Sequence, residues 1–116
     1  MAFTDDQIAA FTGMIEDYFW SRRRPPLNLR DKIREGQRIT DNAVELFFVR
    51  PLWNDPERQV EDPIAKARYV KSRDVWKIYW MRADCKWHSY PPVPEVKTFE
   101  EFLFLVEEDA NACFFG

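Results

Sequence analysis

IAKARYVKSRDVWKIYWMRADCKWHSY, residues 64–90, decides how this chain is built. Apolar and polar residues alternate with a period of two through IAKARYVK, VWKIYWMR and WHSY, and SRD and ADCK interrupt them as turns. Such alternation predicts antiparallel strands joined by tight hairpins, with one apolar and one polar face. Placing Ser72 opposite Val75 sets Tyr69 against Ile78 and Ala67 against Trp80. Placing Ala83 opposite Lys86 sets Arg82 against Trp87 and Met81 against His88. One side then gathers Ala65, Ala67, Tyr69, Trp76, Ile78, Trp80 and Trp87, small alanines facing large rings, as a core face would. The other gathers Lys66, Arg68, Val70, Lys77, Tyr79, Met81, Lys86, His88 and Tyr90. A slip of one residue at either turn exchanges the faces of one strand.

Upstream, IREGQRIT and AVELFFVR flank Asp41-Asn42, which suits a two-residue hairpin turn with Arg38 opposite Glu45 and Ile39 opposite Val44. Gly36 marks a bulge or a close backbone approach. PLWNDPERQVEDP, residues 51–63 with Pro51, Pro56 and Pro63, reads as a loop whose Trp53 docks on the body of the domain. Thr4 and Gln7 form a capping box, with Phe3 stapled to Ile8, ahead of Ile8, Phe11, Ile15, Tyr18 and Phe19 at helical spacing. Arg22, Arg23 and Arg24 suit that helix's negative end, and Pro25-Pro26 stops it. A second helix starts at Thr98 with Glu101 and carries Phe99, Phe102, Leu103 and Val106 inward. The expectation is an α+β domain spanning 1–116. Its antiparallel sheet, a meander of about five strands, has an N-terminal and a C-terminal helix packed on one face.

With 116 residues, 46% of them hydrophobic, the chain can bury one core, which excludes a disordered chain. The net charge of −3 argues against a surface that attracts phosphate everywhere, yet the charges come in blocks. Residues 20–38 and 64–90 each carry +5, between acidic stretches of −4, −4 and −5. Either the acidic elements neutralise a basic sheet, or the sheet offers a basic binding face. Cys85 and Cys113 read as reduced thiols of a cytoplasmic protein, and the acidic MAFTDDQ is unlike a secretory leader. The longest apolar run, FLFLV at 102–106, is far short of the roughly 20 residues that span a membrane.

Four kinds of chemistry fit the residues of 64–90. Lys66, Arg68, Lys77, Tyr79, Lys86, His88 and Tyr90 interleave cations with rings, as a face for single-stranded nucleic acid does. Cys85 and His88, joined by Cys113 and Asp84, could chelate zinc, although no metal is expected from so irregular a donor set. Cys85 beside Lys86, with His88 as base, could act as a nucleophile, but nothing orients the pair. Asp84-Cys85-Lys86 has the D-x-K form of some metal-dependent nucleases, for which Asp62 or Glu45 would supply a further acid. Glu95-Val96-Lys97 repeats that form by chance, so the pattern discriminates little. Glycines at 13, 36 and 116 cannot build a phosphate-binding loop.

The run WKIYWMRADCKWHSYPPVPEVKTFEEFLFLVEED, with RRRPP and ELFFVRP before it, resembles the bacterial family designated domain of unknown function 3024. The resemblance implies a single domain in a bacterial cytoplasm and brings with it no cofactor, ligand or catalytic residue. The residues therefore point first to a non-catalytic binding module for single-stranded nucleic acid. The alternatives are a metal-dependent nuclease or hydrolase centred on Asp84 and Lys86, and a protein-interaction domain using Trp53 or the ACFFG tail.

Overall fold

Thr4 opens the first helix in the computed structural model, which describes residues 2–25 and 27–115. Its Oγ1 accepts from the Gln7 amide at 3.2 Å, and the Gln7 side chain accepts from the Thr4 amide at 2.8 Å. This reciprocal pair satisfies two of the amide donors that a helix start leaves open. Helix α1 (Asp5–Gly13) continues into a π-helical segment, Met14–Phe19, and a final turn, α2 (Trp20–Arg22). The wider π turn shifts the buried stripe. Ile15, Phe19 and Trp20 are buried, whereas Tyr18, expected inside, is 42% exposed.

The sheet runs β1 (Arg34–Ile39), β2 (Ala43–Leu52), β3 (Asp55–Val70), β4 (Val75–Met81) and β5 (Trp87–Ser89), each antiparallel to the one before. A short β6 (Glu95–Val96) also pairs with β4. The β1–β2 turn has the expected register, with Arg38 against Glu45 and Ile39 against Val44. Gly36 is a close approach: a Cβ there would lie 2.4 Å from the Phe47 ring.

Residues 51–63 are not a loop. β2 and β3 extend past the end of β1 as a two-stranded arm that turns at Trp53-Asn54, braced by Arg50 Nε to Asp62 Oδ2 at 2.6 Å. The prolines are tolerated where the ladder is incomplete: Pro51 lies beyond β1, Pro56 follows a register shift, and Pro63 adjoins another. Trp53 sits at the tip, 86% exposed, and does not dock.

Both turns of 64–90 are longer than expected, with different consequences. The β3–β4 turn uses four residues, 71–74, with Asp74 at φ 52°, so Tyr69 pairs with Trp76 and Ala67 with Ile78. That slip of two residues preserves the faces. The β4–β5 turn uses three residues, Ala83-Asp84-Cys85, with Cys85 at φ 62° and its amide donating to the Arg82 carbonyl at 2.9 Å. A three-residue hairpin loop ending in a left-handed residue is a standard alternative to the two-residue turn. Met81 now pairs with Trp87 and Trp80 with His88, a slip of one. The expected faces of β5 are therefore exchanged. Trp87 lies on the polar side, and His88 and Tyr90 lie on the core side.

Helix α3 (Phe99–Glu108) is capped by Thr98, whose Oγ1 accepts from the Glu101 amide at 3.2 Å. Phe99, Phe102, Leu103 and Val106 join Ile15, Phe19 and Trp20 in one core over Val44, Leu46, Ala65, Ala67 and Ile78. Both helices thus cover the same face of the sheet, as the alternation required. Arg22 lies in the last turn of its helix, as expected, over the Tyr18 ring at 4.7 Å, and both arginines also serve α3: Arg23 Nε donates to the Glu107 carbonyl at 2.8 Å, and Arg22 pairs with the Glu107 carboxylate at 3.4 Å. Asp109, at φ 45°, ends α3, and its carboxylate accepts the Phe114 and Phe115 amides at 3.0 Å each. The tail therefore folds back, with Phe114 buried against Tyr90. Gly116 lies outside the described residues. Among the described residues, no helix is long and apolar enough to cross a membrane.

Candidate functional site

The face of the sheet away from the helices carries Lys66, Arg68, Lys77 and Tyr79 in one block, because these residues alternate outward from adjacent strands. Lys66 stands opposite Tyr79, and Arg68 opposite Lys77. Arg68 Nε donates to Tyr79 Oη at 3.3 Å, and the Lys66 ammonium lies 6.0 Å from the Tyr79 ring centre. All four side chains belong to half-exposed residues. Among the described residues, no carboxylate comes within ion-pair distance of the three cations. Glu45 stands opposite Lys66 and Glu95 opposite Lys77, but their carboxylates turn to other cations: Glu45 and Glu61 hold Arg38 at 3.6 and 2.6 Å, and Glu95 holds Arg73 at 2.8 Å. The hydrogen bond that Arg38 donates to Glu61 is the main cause that raises the Arg38 pKa further, so that guanidinium stays charged.

Toward the β4–β5 end the same face carries apolar residues beside a charged cluster. Met81 and Trp87 stand opposite each other, and a hollow of 210 Å³ there is lined also by Phe47 and Pro63 and by Arg38 with its partners Glu45 and Glu61. Arg38 lies over the Phe47 ring at 4.9 Å, which accounts for the burial of Phe47 on a side that no helix covers. Trp87 is the residue that alternation alone assigned to the wrong side. Counting the turn as three residues, with Cys85 left-handed, is what would have found it.

Three sequence candidates fall elsewhere. Tyr90 is 1% exposed within the core, its Oη accepting from Asn111 Nδ2 at 3.0 Å, and is not on the open face. His88 lies on the helix side, its Nε2 2.8 Å from Asp84 Oδ2. Lys86 is exposed beside the turn, away from the Lys66–Tyr79 block, and its amide donates to Asp84 Oδ1 at 3.0 Å.

The Asp84 carboxylate is thus a turn brace, with one oxygen on a backbone amide and the other on His88. The His88 hydrogen bond is the largest cause that lowers the Asp84 pKa. Of the acids that would complete a metal site, Asp62 is paired with Arg50 and Glu45 with Arg38. Cys85 is exposed at the tip, whereas Cys113 lies in the tail with its Sγ 3.6 Å from the Asn111 carbonyl. Among the described residues, no three His, Cys, Asp or Glu side chains are grouped to hold a metal ion. His88 turns to Asp84, not Cys85, so the thiol gains no base from it in this arrangement.

Fold and face together define a two-layer α+β protein whose helices cover one side of an antiparallel sheet and leave the other side basic and aromatic. Residues 4–116 match the family described as Domain of unknown function (DUF3024), and the chain belongs to that family. Comparison with curated proteins and with solved structures found no match.

Proposed function

We propose that this chain is a non-catalytic binding module, one domain over 1–116, whose open sheet face takes single-stranded nucleic acid in a bacterial cytoplasm. The observation that supports this most directly is the cross-strand pair Arg68–Lys77 beside Lys66: the acids that stand opposite two of these cations, Glu45 and Glu95, give their carboxylates to Arg38 and Arg73 instead. Like charges directly opposite one another on adjacent strands destabilise a sheet. An anion lying over the face removes that cost. Phosphates would sit over Lys66, Arg68 and Lys77, and bases would stack on Tyr79 and Trp87, because every base has a flat face and stacking tolerates any sequence.

Titration of labelled single-stranded RNA and DNA across a range of salt concentrations tests this reading. Affinity should rise steeply as salt falls, since phosphate contacts release counterions. Binding at low salt no tighter than that of an uncharged control polymer would exclude it. The exposed Trp53 favours a second role for the arm as a contact for protein, tested by light scattering of Trp53→Ser with candidate partners. In the tail Phe114 is packed in the core, so a contact there would fall to Ala112, Cys113 and Phe115.

A further inference from the structure

On the opposite side of the molecule, α3 carries one large side chain that its own fold does not use. The helix buries Phe99, Phe102, Leu103 and Val106, yet Phe104 projects between them and solvent, 56% exposed. It is a ridge between two hollows. One, of 430 Å³, is floored by Val93, Val96 and Leu105, and the other, of 330 Å³, by Met14, Tyr18 and Leu103. The two hollows share Phe104 and Glu100 in their linings and so lie side by side on the helical layer, and such an apolar patch with a charged rim marks an interaction surface.

The rim is of one sign. Glu100 lines both hollows, and Glu101 and Glu108 line the larger. Among the described residues none of the three is ion-paired. Glu100 and Glu101 lie in the first turn of α3, where the helix dipole favours them. Glu108 lies in the last turn, where the dipole opposes it and where no basic residue occurs. Its neighbour Glu107 is compensated by Arg22, but Glu108 has no such cation. Folding therefore accounts for Glu100 and Glu101 and not for Glu108.

We propose that this groove docks an amphipathic helix of a partner protein, with two bulky apolar side chains one turn apart straddling Phe104 and Lys or Arg beside them meeting Glu100 and Glu108. Helix-in-groove recognition uses apolar anchors at such spacing, and charges at the rim select the partner and speed its approach. The site lies across the molecule from the sheet face and is independent of the nucleic-acid reading.

The test uses the full chain and two fluorescein-labelled peptides of helical periodicity, one of Leu and Lys, the other of Leu and Glu, read by anisotropy. The Leu–Lys peptide should bind and the Leu–Glu peptide should not. Phe104→Ala should weaken binding about tenfold or more, as loss of a central aromatic anchor does. Because Phe104 is exposed, that variant should keep its melting temperature. Glu108→Gln should weaken binding while raising the melting temperature, an opposition that a purely structural glutamate would not produce. Replacing Lys66, Arg68 and Lys77 by Ala should leave peptide binding unchanged, which separates this site from the sheet face. Equal binding of both peptides, binding unaffected by Phe104→Ala, or a Phe104-dependent dimer without peptide would each overturn the proposal. The last would assign the groove to a second copy of the chain.

Discussion

Replacing Lys66, Arg68 and Lys77 by Ala separates a binding role for the open face from a purely structural one. Each cation that meets a phosphate of a single strand contributes about −0.7 to the slope of log affinity against log salt. Three such contacts contribute about −2, so between about 50 and 200 mM salt they alone account for roughly a 20-fold loss of affinity. The triple variant should bind weakly and with a slope shallower by about 2, to RNA and DNA of any sequence alike. Stability should respond little. Lys77→Ala removes a like-charged pair with Arg68 and an opposite-charged one with Glu95, so the two effects offset and stability should stay within about 1 kcal/mol. Arg68→Ala relieves the like-charged pair but loses a hydrogen bond to Tyr79 Oη, and that loss offsets the gain by about 0.5–1.5 kcal/mol. Fluorescence anisotropy at several salt concentrations gives the slope, and urea denaturation gives the stability. An unchanged slope, or a Lys77→Ala variant less stable by more than about 1 kcal/mol, would show that the cations serve the fold and not a ligand.

Further outcomes follow from the same geometry. Trp87→Ala should cost about 1–3 kcal/mol of nucleic-acid affinity, the worth of one stacked base, and His88→Ala almost none; the reverse order would restore the two-residue turn and the other register. Gly36→Ala forces a Cβ to 2.4 Å from the Phe47 ring and should destabilise by about 1–3 kcal/mol in urea denaturation, with Phe47→Leu in the same chain relieving part of it. Asp84 has a lowered folded pKa, so its contribution is present above the unfolded carboxylate value of about 3.9 and is lost as pH falls through the lower folded value. The protection of the Lys86 amide, the slowing of its exchange relative to an unstructured chain at the same pH, should fall across that acidic window, and an equal fall in Asp84→Asn would contradict the assignment.

Elements with a local cause were legible in the chain. Thr4 with Gln7 and Thr98 ahead of Glu101 announce helix starts by side chains that reach their own backbone, so no distant contact is needed to read them. Asp41-Asn42 likewise fixed Arg38 against Glu45. The core of the candidate face, Lys66, Arg68, Lys77 and Tyr79, was legible for a different reason. The turn at 71–74 gained two residues, and an even slip leaves every side chain on its own face.

Turn length, fold-back and the fate of prolines were decided only in three dimensions. At 83–85 a single extra residue, accommodated by a left-handed Cys85 and braced by Asp84, carried Trp87 to the open face and His88 and Tyr90 to the core side. Prolines at 51, 56 and 63 read as a loop, yet an arm with incomplete ladders needs few of the amides they lack. Asp109 looked like one more acid in a charged run until its carboxylate met two tail amides and drew Phe114 into the core. Side-chain alternation and helix caps thus determined, from the sequence alone, where both helices start, the order of the five main strands and which residues of each strand share a face. Which residues meet across the 83–85 turn was left to the tertiary structure, because a left-handed Cys85 is costly by itself and is held only by the paired strands it joins, and nothing in the local sequence records that pairing.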